Sequence, residues 1–104
     1  MDYYSIYVTT KNADEARAIG RALVEAQLAA CVNIVPHIES IYAWQGKLRQ
    51  DAEALLFAKT SSTSLSAAMD KVKELHGYDC PCIVALPLHA GEPAYLDWIR
   101  TQTG

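Results

Sequence analysis

The sequence predicts an α+β fold in the order β-α-β-β-α-β, closed by a short C-terminal helix. Three observations point there: four strand-like stretches rich in β-branched, aromatic or unbroken apolar residues, two segments between them with apolar residues at helical spacing, and a Gln45-Gly46 turn that folds the middle strands into a hairpin.

Tyr4 to Thr10 is rich in β-branched and aromatic residues and reads as the first strand. Asn12 followed by Glu15 resembles a capping box, and Ala16, Ile19, Leu23 and Ala26 recur on one helical stripe, so a helix is expected to run to about Ala30. Gly20 weakens it slightly. Cys31 to Trp44 is a long strand interrupted by Pro36, which has no N–H to donate and belongs at an edge, bend or bulge. Its return partner, Lys47 to Thr60, begins polar and ends Ala54-Leu55-Leu56-Phe57-Ala58, the pattern of a strand covered on both faces. After the cluster Ser61-Ser62-Thr63-Ser64, the stripe Leu65, Met69, Val72 and Leu75 marks a second helix, with Gly77 in a natural C-cap position. The last strand is expected from Cys80 to Leu88. Pro93 to Thr103 then forms a short helix carrying Tyr95, Leu96, Trp98 and Ile99.

This order is the split βαβ arrangement of a ferredoxin-like sandwich. Right-handed crossovers give the spatial strand order 4-1-3-2, with the last strand antiparallel to the first. Cys80 and Cys82 then lie beside Thr9 and Thr10. Cys31 falls at the opposite end of the sheet, roughly 20–25 Å away, so it cannot join the other two thiols within one subunit.

No linker, repeat or low-complexity tract divides residues 1–104, which read as one domain. At 104 residues, 51% hydrophobic and 20% charged, the chain has enough apolar material to fold without metal or disulfide staples. A net charge of -3 and a pI near 5.5 give no electrostatic reason to approach nucleic acid or an anionic membrane. Met1-Asp2-Tyr3-Tyr4 lacks the basic start of a secretory signal, and no apolar run approaches the ~20 residues of a membrane span. A cytoplasmic protein is expected, with its three cysteines reduced.

The chemistry-bearing residues concentrate in Glu74-Leu75-His76-Gly77-Tyr78-Asp79-Cys80-Pro81-Cys82. On an extended chain Cys80 and Cys82 point to one face with Cα atoms roughly 6.6 Å apart, a spacing that strains a direct disulfide but suits a shared soft metal. The metal reading therefore takes His76, Cys80 and Cys82 as ligands, with Asp79 or Tyr78 orienting the ring. The bland alternatives are definite. A histidine at a helix C-terminus suits the helix dipole, and strand cysteines behave as small hydrophobes. Cys31 is expected to be structural, and His37 and His89 to be surface or interface residues. No thiol nucleophile with a base and oxyanion donors, and no glycine-rich phosphate loop, is present, so an enzyme is not expected.

Tyr42 and Trp44 alternate with Ser40 near the tip of the long hairpin, where an isolated domain offers nothing to pack them against. Burial by another subunit is expected, and strand addition would also cover the open edge.

Ala29-Ala30-Cys31-Val32-Asn33, Glu39 to Lys47, Glu74-Leu75-His76-Gly77-Tyr78, Pro81 to Leu88 and Tyr95-Leu96-Asp97-Trp98-Ile99, in this order, resemble the CutA family of divalent-cation tolerance proteins. The resemblance covers nearly the whole chain from Tyr4. It implies a ferredoxin-like fold assembled as a homotrimer, architectural similarity to PII signalling proteins, and links to metal-ion response and copper. It also implies a copper-linked histidine at His76, in some members with a neighbouring histidine and a cysteine late in the first strand. Here Leu75 and Thr9 or Thr10 occupy those positions, Gly77 stands where proline is common, and Cys82 stands where a carboxylate or other residue is usual. Cys80 and Cys82 are placed to replace the missing strand-one cysteine. The alternative to a soft-ion protein is a PII-like trimeric module that binds a small molecule in its clefts.

Overall fold

A computed structural model describes residues 2–104. The elements are β1 (Tyr3–Thr10), α1 (Ala13–Glu25), β2 (Cys31–Trp44), β3 (Lys47–Ser61), α2 (Ser62–Leu75), β4 (Ile83–Pro87) and α3 (Pro93–Thr103). The sheet order is β2-β3-β1-β4, with every neighbouring pair antiparallel, as expected from the sequence.

Strand alternation divides the sheet into two faces. Ile6 and Val8 of β1 and Leu56 of β3 point to one face and pack fully buried against Ile19 and Leu23 of α1 and Val72 of α2. Burial of each such side chain stabilises the fold by about 1.5–3 kcal/mol. Tyr3 has the opposite parity and packs with Ala30 and Ile99, so α3 covers the other face at the end of the sheet where β1 begins. Thr103 ties that helix down: its hydroxyl donates to the Ile99 carbonyl at 2.7 Å and accepts from the Ser61 hydroxyl at 2.8 Å.

The hairpin extends beyond the helices. Gln45 and Gly46 both adopt positive φ, 52° and 78°, the conformation of the primed turns that match strand twist. At Pro36-His37 the register shifts between Val35↔Leu55 and Ile38↔Glu53, three steps along β2 against two along β3, a bulge on an edge strand, among the settings expected for the proline. From Tyr42 to Gln50 every hairpin residue is exposed, and the subunit measures 44 × 25 × 22 Å. Its radius of gyration, 14.1 Å, exceeds the ~13 Å of a compact chain this long.

Three element boundaries differ from expectation. Helix α1 ends at Glu25 rather than near Ala30: Gln27 turns the chain at φ 60°, the N–H groups of Leu28 and Ala29 return to the Leu23 carbonyl, and Ala30 N–H already donates to Lys59. The Ala-rich composition of residues 26–30 favours helix, but strand pairing prevails. Helix α2 ends at Leu75 with His76 as its C-cap, and Gly77 does not take positive φ. Strand β4 begins at Ile83 rather than Cys80, leaving both thiols outside the ladder.

Candidate functional site

The early end of β4 has a local cause. Because Tyr3 accepts the Leu88 N–H at 2.9 Å, the odd-numbered residues of β1 turn their backbone groups toward β4, and continued register would place Cys82 opposite Thr9. The Thr9 carbonyl is instead 2.7 Å from His76 Nε2. The ring thus occupies the place of the next ladder bond, the one that Cys82 N–H would make.

His76 is buried, with both ring nitrogens engaged. Tyr78 N–H donates to Nδ1 at 3.1 Å, so Nδ1 is an acceptor and Nε2 carries the proton given to Thr9. The Tyr78 ring lies 4.8 Å from the imidazole centroid, and its hydroxyl donates to Glu53 on β3 at 2.7 Å. Burial of the phenol, reinforced by the Glu53 carboxylate, pushes its pKa up.

Glu15 fastens the loop from the other side. Its Oε1 accepts Lys11 N–H and its Oε2 accepts Gly77 N–H, both at 3.0 Å, while its own N–H caps α1 on Asn12 Oδ1 at 2.8 Å. The reciprocal bond of the capping box thus goes to Lys11 rather than Asn12. A Cβ at position 77 would stand 2.8 Å from Glu15 Oε2, so glycine serves close approach here, and a proline could not donate this bond.

From this tethered start the loop passes Asp79, Cys80 and Cys82 to solvent. Both cysteines are free and exposed, and both line an open cleft of about 800 Å³ between the loop and the outer half of the hairpin. Tyr42, Trp44 and Arg49 form its hairpin side. Tyr42 donates to Asp51 across the hairpin, which raises its pKa, whereas Trp44 projects 44% exposed. Cys82 has the parity of Val84 and Leu86, which are exposed on the face away from α1 and α2. Ordinary core packing therefore does not describe these thiols within the subunit.

Of the sequence-derived ligand set, Cys80 and Cys82 share the cleft wall, while His76 is withdrawn into the end of the sheet. Among the described residues no group of three or more His, Cys, Asp or Glu side chains is gathered so as to hold a metal ion. Cys31 lies at the far end, paired with Lys59, half-buried, its Sγ 3.1 Å from Tyr95 Oη. Glu15, Arg49 and Glu53 were not singled out for this site from the sequence. Glu15 carries a capping signal that accounts for it locally, and nothing in the spacing of Arg49 or Glu53 marks the cleft.

A family model described as CutA1 divalent ion tolerance protein matches residues 4–102. The divalent-cation tolerance protein CutA of Thermus thermophilus is 48% identical over 99 residues, covering 95% of this chain and 96% of that protein. A chloroplastic CutA 1 of Oryza sativa is 44% identical over 98 residues; the match spans 94% of this chain but 55% of the rice protein. The solved structure of a periplasmic divalent cation tolerance protein CutA from Archaeoglobus fulgidus superposes with a TM-score of 0.94 at 38% identity, covering 98% of this chain and 99% of that one.

Proposed function

Because this chain belongs to the CutA1 divalent ion tolerance family, we propose that it acts in the response to metal ions as a non-enzymatic ferredoxin-like homotrimer that binds copper or a similar soft ion. The observation that carries the soft-ion reading is the pair of free, exposed thiols on one cleft wall. Thiolates suit Cu(I), and a site at a loop beyond the last ladder bond can adjust to it. His76 is the third ligand in this reading. Metal-bound histidines commonly donate their other ring N–H to a carbonyl, and the bond from Nε2 to Thr9 supplies that partner, leaving Nδ1 to exchange the Tyr78 N–H for the ion.

The trimer rests on the hairpin. Ile41, Tyr42, Trp44 and Leu48 expose large apolar surface that the subunit itself does not cover, and a second copy would bury it. A cytoplasmic location is retained from the sequence, although two relatives are named chloroplastic and periplasmic. The PII-like reading, with a small molecule held between subunits, draws on the aromatic and charged lining of the same cleft, whose volume falls in the usual range for small-ligand sites.

The decisive experiment is Cu(I) competition against a chromogenic chelator, with reduced wild type, a Cys80→Ser, Cys82→Ser double variant and His76→Ala, while light scattering follows assembly. About one ion per subunit in the wild type, lost in the double variant and weakened in His76→Ala with the trimer intact, is expected. Unchanged uptake in both variants rejects the site.

A further inference from the structure

The same two thiols support a chemistry that ion binding does not require. In a fully extended strand their spacing would strain a bridge, since two residues of β-strand place the Cα atoms near the upper limit for a disulfide. The pairing of β4 with β1 stops at Val8↔Ile83, however, and Cys80-Pro81-Cys82 is not bound into the ladder. No strand pairing opposes the closer Cα approach that a bridge needs. Among the described residues the segment's tethers lie at its borders, with Ile83 in the sheet, Gly77 on Glu15, and Tyr78 on His76 and Glu53. Both cysteines are exposed in the subunit and line one open cleft, where a small reactant can reach either. The third thiol cannot compete within the subunit, being at the opposite end of β1 and packed against Tyr95.

We infer that Cys80 and Cys82 form a reversible intrachain disulfide by exchange with a low-molecular-weight disulfide such as oxidised glutathione. One protein thiolate attacks a sulfur of the reactant, whose S–S bond breaks and releases a first thiolate. The neighbouring cysteine then attacks the protein sulfur of the mixed disulfide, expels the second small thiolate and closes the Cys80–Cys82 bond. Two electrons pass from the protein to the reactant, and the two protons given up by the cysteines end on the released thiols. The two-residue separation makes the second step intramolecular, so it outruns capture of another subunit. One consequence rests on the soft-ion reading above: closing the bridge removes both thiolate ligands, so oxidation releases the ion.

The test equilibrates the intact protein, with a metal chelator present, in reduced and oxidised glutathione buffers of graded potential, followed by acid quenching, alkylation and intact-mass and peptide mapping. The expected oxidised form is lighter by two hydrogens, carries no glutathione, is alkylated only at Cys31 and shows its link within residues 80–82. Cys31→Ser should behave alike, whereas Cys80→Ser and Cys82→Ser should each stop at one glutathione adduct. Stable adducts on both wild-type thiols, links between subunits, or full alkylation in the most oxidising buffer would each overturn the inference. Because the chelator excludes metal, a bridge in a protein that takes up no copper would leave this chemistry standing and remove the ion reading, and copper uptake without a bridge would do the reverse.

Discussion

The two ends of β1 treat the same residue type in opposite ways. At the Tyr3 end, α3 closes over the sheet: Ile99 is fully buried with Tyr3 and Ala30, and Cys31 is half-buried against the Tyr95 hydroxyl. At the Thr10 end no helix of the described residues covers that face, a histidine ring takes the last ladder acceptor, and Cys80 and Cys82 are left exposed. Availability of a thiol is therefore decided by whether α3 closes over its end of the sheet and not by its strand-like sequence context: Val84 and Leu86, paired within β4, are exposed on the same face as Cys82.

The contrast is broken most severely from the core. Leu56→Ala removes a fully buried side chain between the sheet and its helices and should cost about 2–5 kcal/mol in chemical denaturation. Replacing both Cys80 and Cys82 by Ser should stay within about 0.5 kcal/mol under reducing conditions, because neither is packed in the subunit. A loss comparable to that of Leu56→Ala would mean that the thiol end is covered in the assembly. Trp44→Ala should weaken association by about 2 kcal/mol or more while leaving the subunit folded, read by light scattering on dilution. Equal dissociation of variant and wild type would exclude that ring as an anchor.

His76→Ala sharpens the comparison at the open end. It leaves the Thr9 carbonyl and Tyr78 N–H without their partner and should cost about 1–3 kcal/mol, with faster hydrogen exchange in β4 and no change in α3. Uniform acceleration across the sheet would show that the ring does not act locally.

Much of this was legible in the sequence because the signals were local. Asn12 and Glu15 announced the start of α1, Gln45-Gly46 the turn, Pro36 an edge, bend or bulge, and the run Ala54 to Ala58 the central strand. The end of α1 was hidden because Gln27 takes a left-handed conformation that glycine more often marks, and because Ala30 is claimed by a strand remote in sequence. The start of β4 was hidden for a similar reason. Alternation through Cys80, Cys82 and Val84 extends the strand on paper, whereas an imidazole from the preceding helix end intercepts its acceptor. The tethers from Glu15 and Glu53 join residues 62 and 25 positions apart, beyond the reach of any spacing rule.

The smallest expected effect lies at the closed end. Its hydrogen bond to Cys31, then partial burial, pushes the Tyr95 phenol up to about 12. A raised folded value stabilises the fold fully below the ordinary tyrosine pKa near 10 and loses that contribution as pH rises from there toward 12. Ultraviolet titration should show Tyr95 ionising late, and Cys31→Ala should return it toward 10. An unmoved titration would show that the sulfur is not its partner.

The most direct test is alkylation of the native, reduced protein, timed separately at each cysteine with and without one equivalent of Cu(I) per subunit. Cys80 and Cys82 should react much faster than Cys31, and the ion should slow those two while leaving Cys31 unchanged. Equal rates at all three thiols, or protection of Cys31 by the ion, would contradict the division of the sheet into a closed end and a reactive one.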